Sequence, residues 1–210
     1  MAEKMKFYSL WLCLSVVMVF ILQYIFPSIT NFGILNNSAI SNYEFWRFFT
    51  SIFLHGSLPH LLYNLFALFF FGIALEKLIG SKKFLFAFFA SGIIANIIAV
   101  NFYQSSLGAS GAIMGIIGVL TIVKPMLMVW AFGLILPMFI AGILWVTGSI
   151  LGSLGMFPGD TGYIAHLVGI AIGLIIGIFL RLANKENKKS NNKIEIHSYY
   201  IENWEERHLK

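Results

Sequence analysis

Six apolar stretches, separated by short segments that carry most of the charge, dominate this sequence of 210 residues. They lie at about residues 8–26, 58–76, 84–102, 110–123, 133–152 and 163–183. A hydrocarbon layer about 30 Å thick requires roughly 20 apolar residues per helical crossing. Charged residues make up only 11% of the chain, against about 25% in soluble domains. The pattern therefore predicts an all-α, polytopic membrane protein: a six-helix bundle in contact with the lipid bilayer.

The domain organisation follows from where the apolar pattern ends. Residues 1–183 are expected to form one membrane domain, and the polar stretch 184–210 a cytoplasmic tail that either rests on the membrane surface or is mostly disordered. The first apolar stretch holds the single cysteine, Cys13, and has no small-residue cleavage site. We therefore interpret it as a retained helix rather than a signal peptide, and we expect no disulfide framework.

The basic residues indicate how the bundle is oriented. An even number of crossings places both termini on one side, and if that side is the cytoplasm, every basic residue except Arg47 falls inside. This asymmetry predicts a cell-membrane protein with cytoplasmic N- and C-termini. The basic residues flank apolar stretches and form no patch with interleaved aromatic residues, so we expect no nucleic-acid partner.

Two segments depart from a simple bundle. Residues 27–57 form a long, aromatic-rich connection with little charge, which suits a structured loop in the outer interface. The fourth apolar stretch has only about 14 residues, or roughly 21 Å of helix, which is too short to cross. Its outer end is therefore expected to lie below the membrane surface, with residues 103–109 dipping into a wet, protein-lined cavity that satisfies their polar groups.

Among the polar side chains within the predicted spans, four are candidates for a functional site: His60, Asn64, Ser110 and His166. Polar residues at such depth are costly and by default suggest function. Counted from the nearest cytoplasmic charge, Asn64, Ser110 and His166 lie at similar depths, roughly 20 to 22 Å above the inner boundary. His60 lies one helical turn higher. The four residues are thus expected to meet in one layer of the outer half of the membrane.

Glycine spacing favours close approach of the fourth and sixth helices. Stripes of small residues let membrane helices pack with their backbones in contact. One such stripe continues from His166 and the other lies beside Ser110: Gly169, Gly173 and Gly177 on the sixth helix, and Gly111, Gly115 and Gly118 on the fourth. A short separation between Ser110 and His166 is therefore plausible.

Each of these residues also has a structural interpretation. A lone serine in a membrane helix is usually a packing residue, and a lone histidine is usually an interhelical hydrogen-bond partner. His60 and Asn64, four residues apart on one face, could serve only to join helices. The shared depth, the short fourth helix and the glycine stripes together favour a catalytic site.

The ordered motifs resemble those of the rhomboid intramembrane proteases. The run Gly108 to Gly111 resembles the Gly-x-Ser-Gly nucleophile motif of that family, and Ala165–His166 with Gly169 resembles its Ala-His helix. Three further elements follow the same order: His60 to Asn64 resembles the His-x-x-x-Asn element, Trp46–Arg47 the Trp-Arg motif, and Gly72 to Glu76 the acidic end of the second helix. One position differs. Many members carry an aromatic residue four residues after the nucleophile, and here it is Met114, whose thioether can also contact an imidazole face.

The chemistry expected of these residues is a dyad without a carboxylate. Between Trp46 and Arg181 the only acidic residues are Glu76 and Asp160, and neither is expected at the depth of His166. A neutral His166 would accept the Ser110 proton. Asn64, the backbone N–H of Ser110 and His60 are the expected oxyanion donors. This scheme includes neither a cofactor nor a metal.

The resemblance also implies a substrate class. It implies cleavage of transmembrane proteins near their outer end, beside small or helix-breaking residues, with the fifth helix and the loop at about 153–162 as the entry gate. Met156 to Gly159 could cap the cavity from above, although this loop could also be only a connection.

Three other functional classes fit the sequence less well. A soluble serine hydrolase is set aside because its nucleophile follows a strand, and no strand is predicted before Gly108. A transporter would require polar residues through both leaflets, and the inner halves of these spans have almost none. A catalytically silent relative that binds membrane clients should lack the serine or the histidine, and both are present.

Overall fold

The computed structural model describes residues 5–157 and 161–191, together with residues 204, 207 and 208. Four of its helices are long and apolar enough to cross a membrane, and two further apolar helices are shorter. In chain order these six are α1 Tyr8–Ile25, the segment Leu58–Ile79, α6 Ser81–Ala99, α7 Ser110–Val123, α8 Met138–Ser153 and α9 Tyr163–Asn191. The prediction of a helical membrane bundle is confirmed, as is the short fourth helix.

The second span, Leu58–Ile79, changes its hydrogen-bond pattern along its length. It comprises α4 Leu58–Ala67, one π-helical turn Leu68–Gly72, and α5 Ile73–Ile79. Ser57 caps the first turn, where its hydroxyl accepts a hydrogen bond from the backbone N–H of His60 at 3.3 Å. A serine at this position satisfies one of the four unpaired N–H groups of a helix start. The cap therefore fixes where this helix, and with it His60 and Asn64, begins.

The carboxylate of Glu76 anchors the start of α1 to the second span. Its two oxygens accept hydrogen bonds from the backbone N–H groups of Tyr8 and Ser9, both at 2.8 Å, and from the Ser81 hydroxyl at 2.7 Å. Ser81 Oγ in turn accepts a hydrogen bond from the N–H of Lys6 at 3.0 Å. Glu76 is buried, and its negative charge lies at the positive end of a helix dipole. The residue thus serves as the N-terminal cap that α1 does not provide for itself.

The connection between α1 and α4 is folded, as predicted. It contains two short helices, α2 Ser28–Gly33 and α3 Arg47–Thr50. Arg47 is buried and holds them together, because its Nη1 donates to the carbonyl oxygens of Asn31 and Ile34 at 2.7 Å while its Nε donates to Glu44 at 2.7 Å. Trp46 adds a stacked contact with Phe32. The Trp-Arg pair therefore joins α3 to α2.

A short strand precedes the nucleophile motif, contrary to the sequence-based prediction. Strand β1 Leu35–Asn36 pairs antiparallel with β2 Ser105–Ser106. The N–H of Gly108 then donates to the Ser51 carbonyl at 2.9 Å. Backbone polar groups of residues 103–109 thus find partners in the α1–α4 connection. A two-residue strand is not the buried strand that precedes the nucleophile in a soluble serine hydrolase, so that class remains set aside.

The start of the fifth helix was also predicted too early. Residues 133–137 are not helical, because β3 Met128–Ala131 and β4 Leu134–Pro137 form an antiparallel hairpin and α8 begins only at Met138. The tip residues Phe132 and Gly133 have φ values of 54° and 79°. Two successive positive φ angles are characteristic of the turn that matches the twist of a two-residue hairpin.

The sixth helix is longer than predicted. It continues past residue 183 into the stretch assigned to the tail and ends at Asn191. The chain divides into two compact units, Met1–Ile178 and Phe179–Lys210, and all six spans begin within the first of them. Beyond Asn191, the rings of Trp204 and His208 stack within the second unit. Most of the predicted tail lies outside the described residues.

Candidate active site

Ser110 is the first residue of α7, and the chain reaches it through a glycine in an unusual conformation. Gly108 has a φ of 118°, a region that favours glycine. Ala109 is buried and Ser110 is half-buried. Because the first N–H groups of a helix have no intrahelical partner, the Ser110 side chain lies beside free donors and the positive end of the helix dipole.

His60 and Asn64 lie on the span that packs against this turn. The His60 ring directly faces Gly108, where a Cβ atom would be 2.7 Å from Cε1 and 2.8 Å from Nε2 of the ring. Asn64, one turn further along, is buried, and its Nδ2 donates to the His60 carbonyl at 2.9 Å. One N–H of its amide is engaged in that bond, which leaves the second available as a donor.

A second histidine, which the sequence analysis did not single out, packs behind His60. The rings of His55 and His60 lie edge to face with their centroids 5.1 Å apart. His55 is buried, and the buried Nε2 atom has no hydrogen-bond partner in the described part of the chain. Burial, and secondarily the charge of His60, lower the pKa of His55 to about 4. His55 is therefore neutral near pH 7 and supports His60 by packing.

The helices that carry Ser110 and His166 are in backbone contact. A Cβ atom at Gly111 would lie 3.6 Å from the carbonyl oxygen of Ala165, and one at Gly169 would clash with the backbone of Gly111. Gly173 meets the backbone of Gly115 in the same way. The predicted glycine stripes thus pack against each other beside the two candidate catalytic residues.

The side chains of Ser110 and His166 are not joined by a hydrogen bond. Within residues 5–157 and 161–191, none joins the Ser110 hydroxyl to His166, and neither ring nitrogen of His166 has a partner. In free enzymes such bonds are often long and shorten when substrate binds. No group of three His, Cys, Asp or Glu side chains among the described residues could hold a metal ion.

A family model decides the classification of this arrangement. The model described as the Rhomboid domain matches residues 42–183, which include all four polar residues of the site. The chain belongs to the rhomboid family.

Curated relatives that are named as rhomboids resemble this chain. The chain is 40% identical over 125 residues to "Rhomboid protease GluP" of Bacillus subtilis, covering 56% of this chain and 24% of that protein. It is 42% identical over 86 residues to "Putative rhomboid protease YdcA" of the same organism, covering 40% of this chain and 43% of the relative. A third relative, 36% identical over 88 residues, is "Inactive RHOMBOID-like protein 8" of Arabidopsis thaliana, with 41% and 25% covered. The matches span less than half the length of these relatives.

The aromatic residue that packs on His166 in this rhomboid was not predicted from the sequence, where the position of interest was Met114, four residues after the serine. The structure instead places the ring of Tyr163 edge to face with His166, at 6.2 Å between centroids and 83° between planes. Tyr163 is three residues before His166 on the same helix, a spacing that brings side chains together.

Proposed function

We propose that this rhomboid is a serine endopeptidase that cleaves peptide bonds within the membrane, with Ser110 as nucleophile and His166 as general base. The observation that carries the proposal is the backbone contact between Gly111 and Gly169, which brings the helix that starts at Ser110 against the helix that bears His166. His60 packs on Gly108, which brings the second span, and Asn64 with it, against the turn before Ser110.

The proposed reaction uses side chains and backbone only. His166 takes the proton of the Ser110 hydroxyl while Oγ attacks the scissile carbonyl carbon. The carbonyl oxygen becomes an oxyanion that accepts hydrogen bonds from the Ser110 N–H, the free N–H of Asn64 and, secondarily, His60. His166 then donates its proton to the leaving amine, and water hydrolyses the acyl-enzyme. The scheme uses no carboxylate, because a neutral imidazole can accept the serine proton by itself.

The proposed substrates are transmembrane proteins cut near the outer membrane face. A peptide bond in an intact helix has its carbonyl occupied by a backbone hydrogen bond, so the substrate must unwind locally before attack. Entry is proposed between α8 and the second span, with the loop 153–162 above it. Pro158, Gly159 and Asp160 of that loop lie outside the described residues, so the proposed cap rests on the sequence.

Labelling with a serine-reactive fluorophosphonate tests the proposal most directly. Native protein in detergent micelles should label, and Ser110→Ala should not, while Ser105→Ala on the exposed strand β2 serves as the matched control and should label normally. Ser110→Ala and His166→Ala should each abolish cleavage of a single-span substrate while remaining folded. Residual activity above about a tenth of native in either variant would contradict the dyad. A folded native protein that neither labels nor cleaves would favour the alternative, a silent rhomboid that binds membrane clients.

A further inference from the structure

The side chain of His166 is held by packing rather than by hydrogen bonds. Among the described residues neither ring nitrogen has a hydrogen-bond partner, although the His166 backbone N–H donates to the Gly162 carbonyl at 3.0 Å. A base in a dyad must nevertheless present one nitrogen to the serine in a fixed direction. Whatever packs on the imidazole ring therefore sets that direction.

Tyr163 supplies this contact and also touches another helix. Its ring meets the His166 ring edge to face, within the 4.5 to 7 Å range over which aromatic pairs attract each other. On its other side the ring covers Gly152 near the end of α8: a Cβ atom there would lie 2.5 Å from Cε1 and 2.6 Å from Cδ1 of Tyr163. Gly152 is buried, so the ring fills the space that a side chain would need.

The base of Tyr163 is fixed independently. The backbone N–H of the next residue, Ile164, donates to the hydroxyl of Tyr103 at 2.9 Å, which anchors the first turn of α9 to the segment after α6. Tyr163 thus starts from a fixed backbone and reaches between Gly152 and His166. Any shift of the α8 end toward α9 would press on this ring first.

We propose that Tyr163 is a positioning residue that orients His166 and links its orientation to the packing of α8 through Gly152. This inference rests on the proposed protease function. The positioning role is assigned to the aromatic ring of Tyr163, because ring atoms make both contacts. The expectation is therefore a defect in turnover rather than in substrate binding when the ring is removed or displaced.

The test is a double-mutant cycle measured by steady-state cleavage of a single-span substrate. Tyr163→Ala should lower kcat by roughly tenfold with KM changed less than about twofold, and Tyr163→Phe, which keeps the ring, should stay within about twofold of native. Gly152→Ala should also lower kcat, because the new methyl displaces the ring. In Gly152→Ala with Tyr163→Ala the methyl meets no ring, so the double variant should be no slower than Tyr163→Ala alone.

Gly148→Ala is the matched control for the glycine substitution. Gly148 lies one turn before Gly152 on α8, and no atom lies within 4 Å of a Cβ placed there. This variant should keep native kcat. Thermal unfolding of each variant separates lost folding from lost turnover, and Tyr163→Leu provides a folded alternative if Tyr163→Ala does not fold.

The outcomes distinguish failure of the proposed function from failure of the positioning role. A native protein that does not cleave overturns the proposed function, and this inference with it. If native protein cleaves but folded Tyr163→Ala or Tyr163→Leu keeps native kcat, the positioning role is wrong. If the losses from Gly152→Ala and Tyr163→Ala multiply in the double variant, the link to α8 is wrong.

Discussion

The ring of His60 lies directly against Gly108, so closely that a Cβ atom on that glycine would be 2.7 Å from Cε1 of the imidazole. The same glycine adopts a φ of 118°, and its N–H is bonded to the Ser51 carbonyl. Two contacts, together with a backbone conformation that favours glycine, thus fix the turn that leads to Ser110. The position of the proposed nucleophile therefore depends on the absence of a side chain two residues earlier.

Gly108→Ala should consequently impair the proposed site. The methyl group would push His60 away and strain the backbone by about 1 to 3 kcal/mol, enough to lower cleavage by roughly tenfold or more. Gly56→Ala is the control, since its Cβ would make only an ordinary 3.6 Å contact with Leu107. Cleavage rate and fluorophosphonate labelling are the measurements. Native rates in folded Gly108→Ala would show that this contact is dispensable.

Asn64 should contribute to turnover as an oxyanion donor. Loss of one such donor typically costs about 100- to 1000-fold in rate, so Asn64→Ala should cleave far more slowly but detectably. Asn101→Ala is a matched control, because Asn101 also donates from Nδ2 to the carbonyl four residues earlier but is exposed just after α6. Equal turnover in Asn64→Ala and native protein would remove Asn64 from the site.

Some elements of this fold could be predicted from the sequence and others could not, for physical reasons. The spans follow from helix rise and from distance to flanking charges, which are local quantities, and so does the predicted common layer of His60, Asn64, Ser110 and His166. The approach of α7 to α9 follows from glycine spacing. These features need no knowledge of the tertiary fold.

Other features depend on contacts that the sequence does not display. The apolar run after Lys124 suits a buried helix or a strand equally, which is why strand β4 was included in the predicted fifth helix. The contact of Tyr163 with Gly152 depends on how closely α8 approaches α9, which the sequence does not show. The family resemblance points to the position four residues after the nucleophile, Met114, rather than to Tyr163.

Glu76 should be a stability residue rather than a catalytic one. Glu76→Ala would leave the N–H groups of Tyr8 and Ser9 and the Ser81 hydroxyl without their acceptor, at a cost of about 1 to 3 kcal/mol for each buried group. Glu76→Gln keeps one accepting oxygen and should lose less. The exposed neighbour provides the control variant Lys77→Gln. Thermal unfolding in detergent should rank native and control above Glu76→Gln, and Glu76→Ala lowest; equal midpoints would contradict the capping role.

Orientation in the membrane can be tested with single cysteines in a Cys13→Ser background. The distribution of basic residues predicts that Thr161→Cys faces outward and Lys83→Cys faces the cytoplasm. Both positions are exposed. In intact cells a membrane-impermeant maleimide should modify only the first, and cell lysis should make both reactive. The opposite pattern would reverse the topology and place proposed cleavage near the inner face.

Separation of α8 from the second span should be required for a transmembrane substrate to reach Ser110. The two elements meet where the rings of Phe71 and Trp145 pack edge to face, with their centroids 5.4 Å apart. Cysteines in place of Phe71 and Trp145, in the Cys13→Ser background, would allow a reducible bifunctional reagent to join the two elements at that contact.

The tethered protein should cleave a single-span substrate slowly, because sideways entry requires this gap to widen, and reduction should restore the native rate. Each single-cysteine variant treated with the same reagent is the control for modification alone. Fluorophosphonate labelling of the tethered form reports whether Ser110 itself remains reactive, which separates a closed gate from a damaged site. If the verified tethered form labels and cleaves at the native rate, entry between α8 and the second span is wrong. Substrate would then have to reach Ser110 from above, past the loop between α8 and α9.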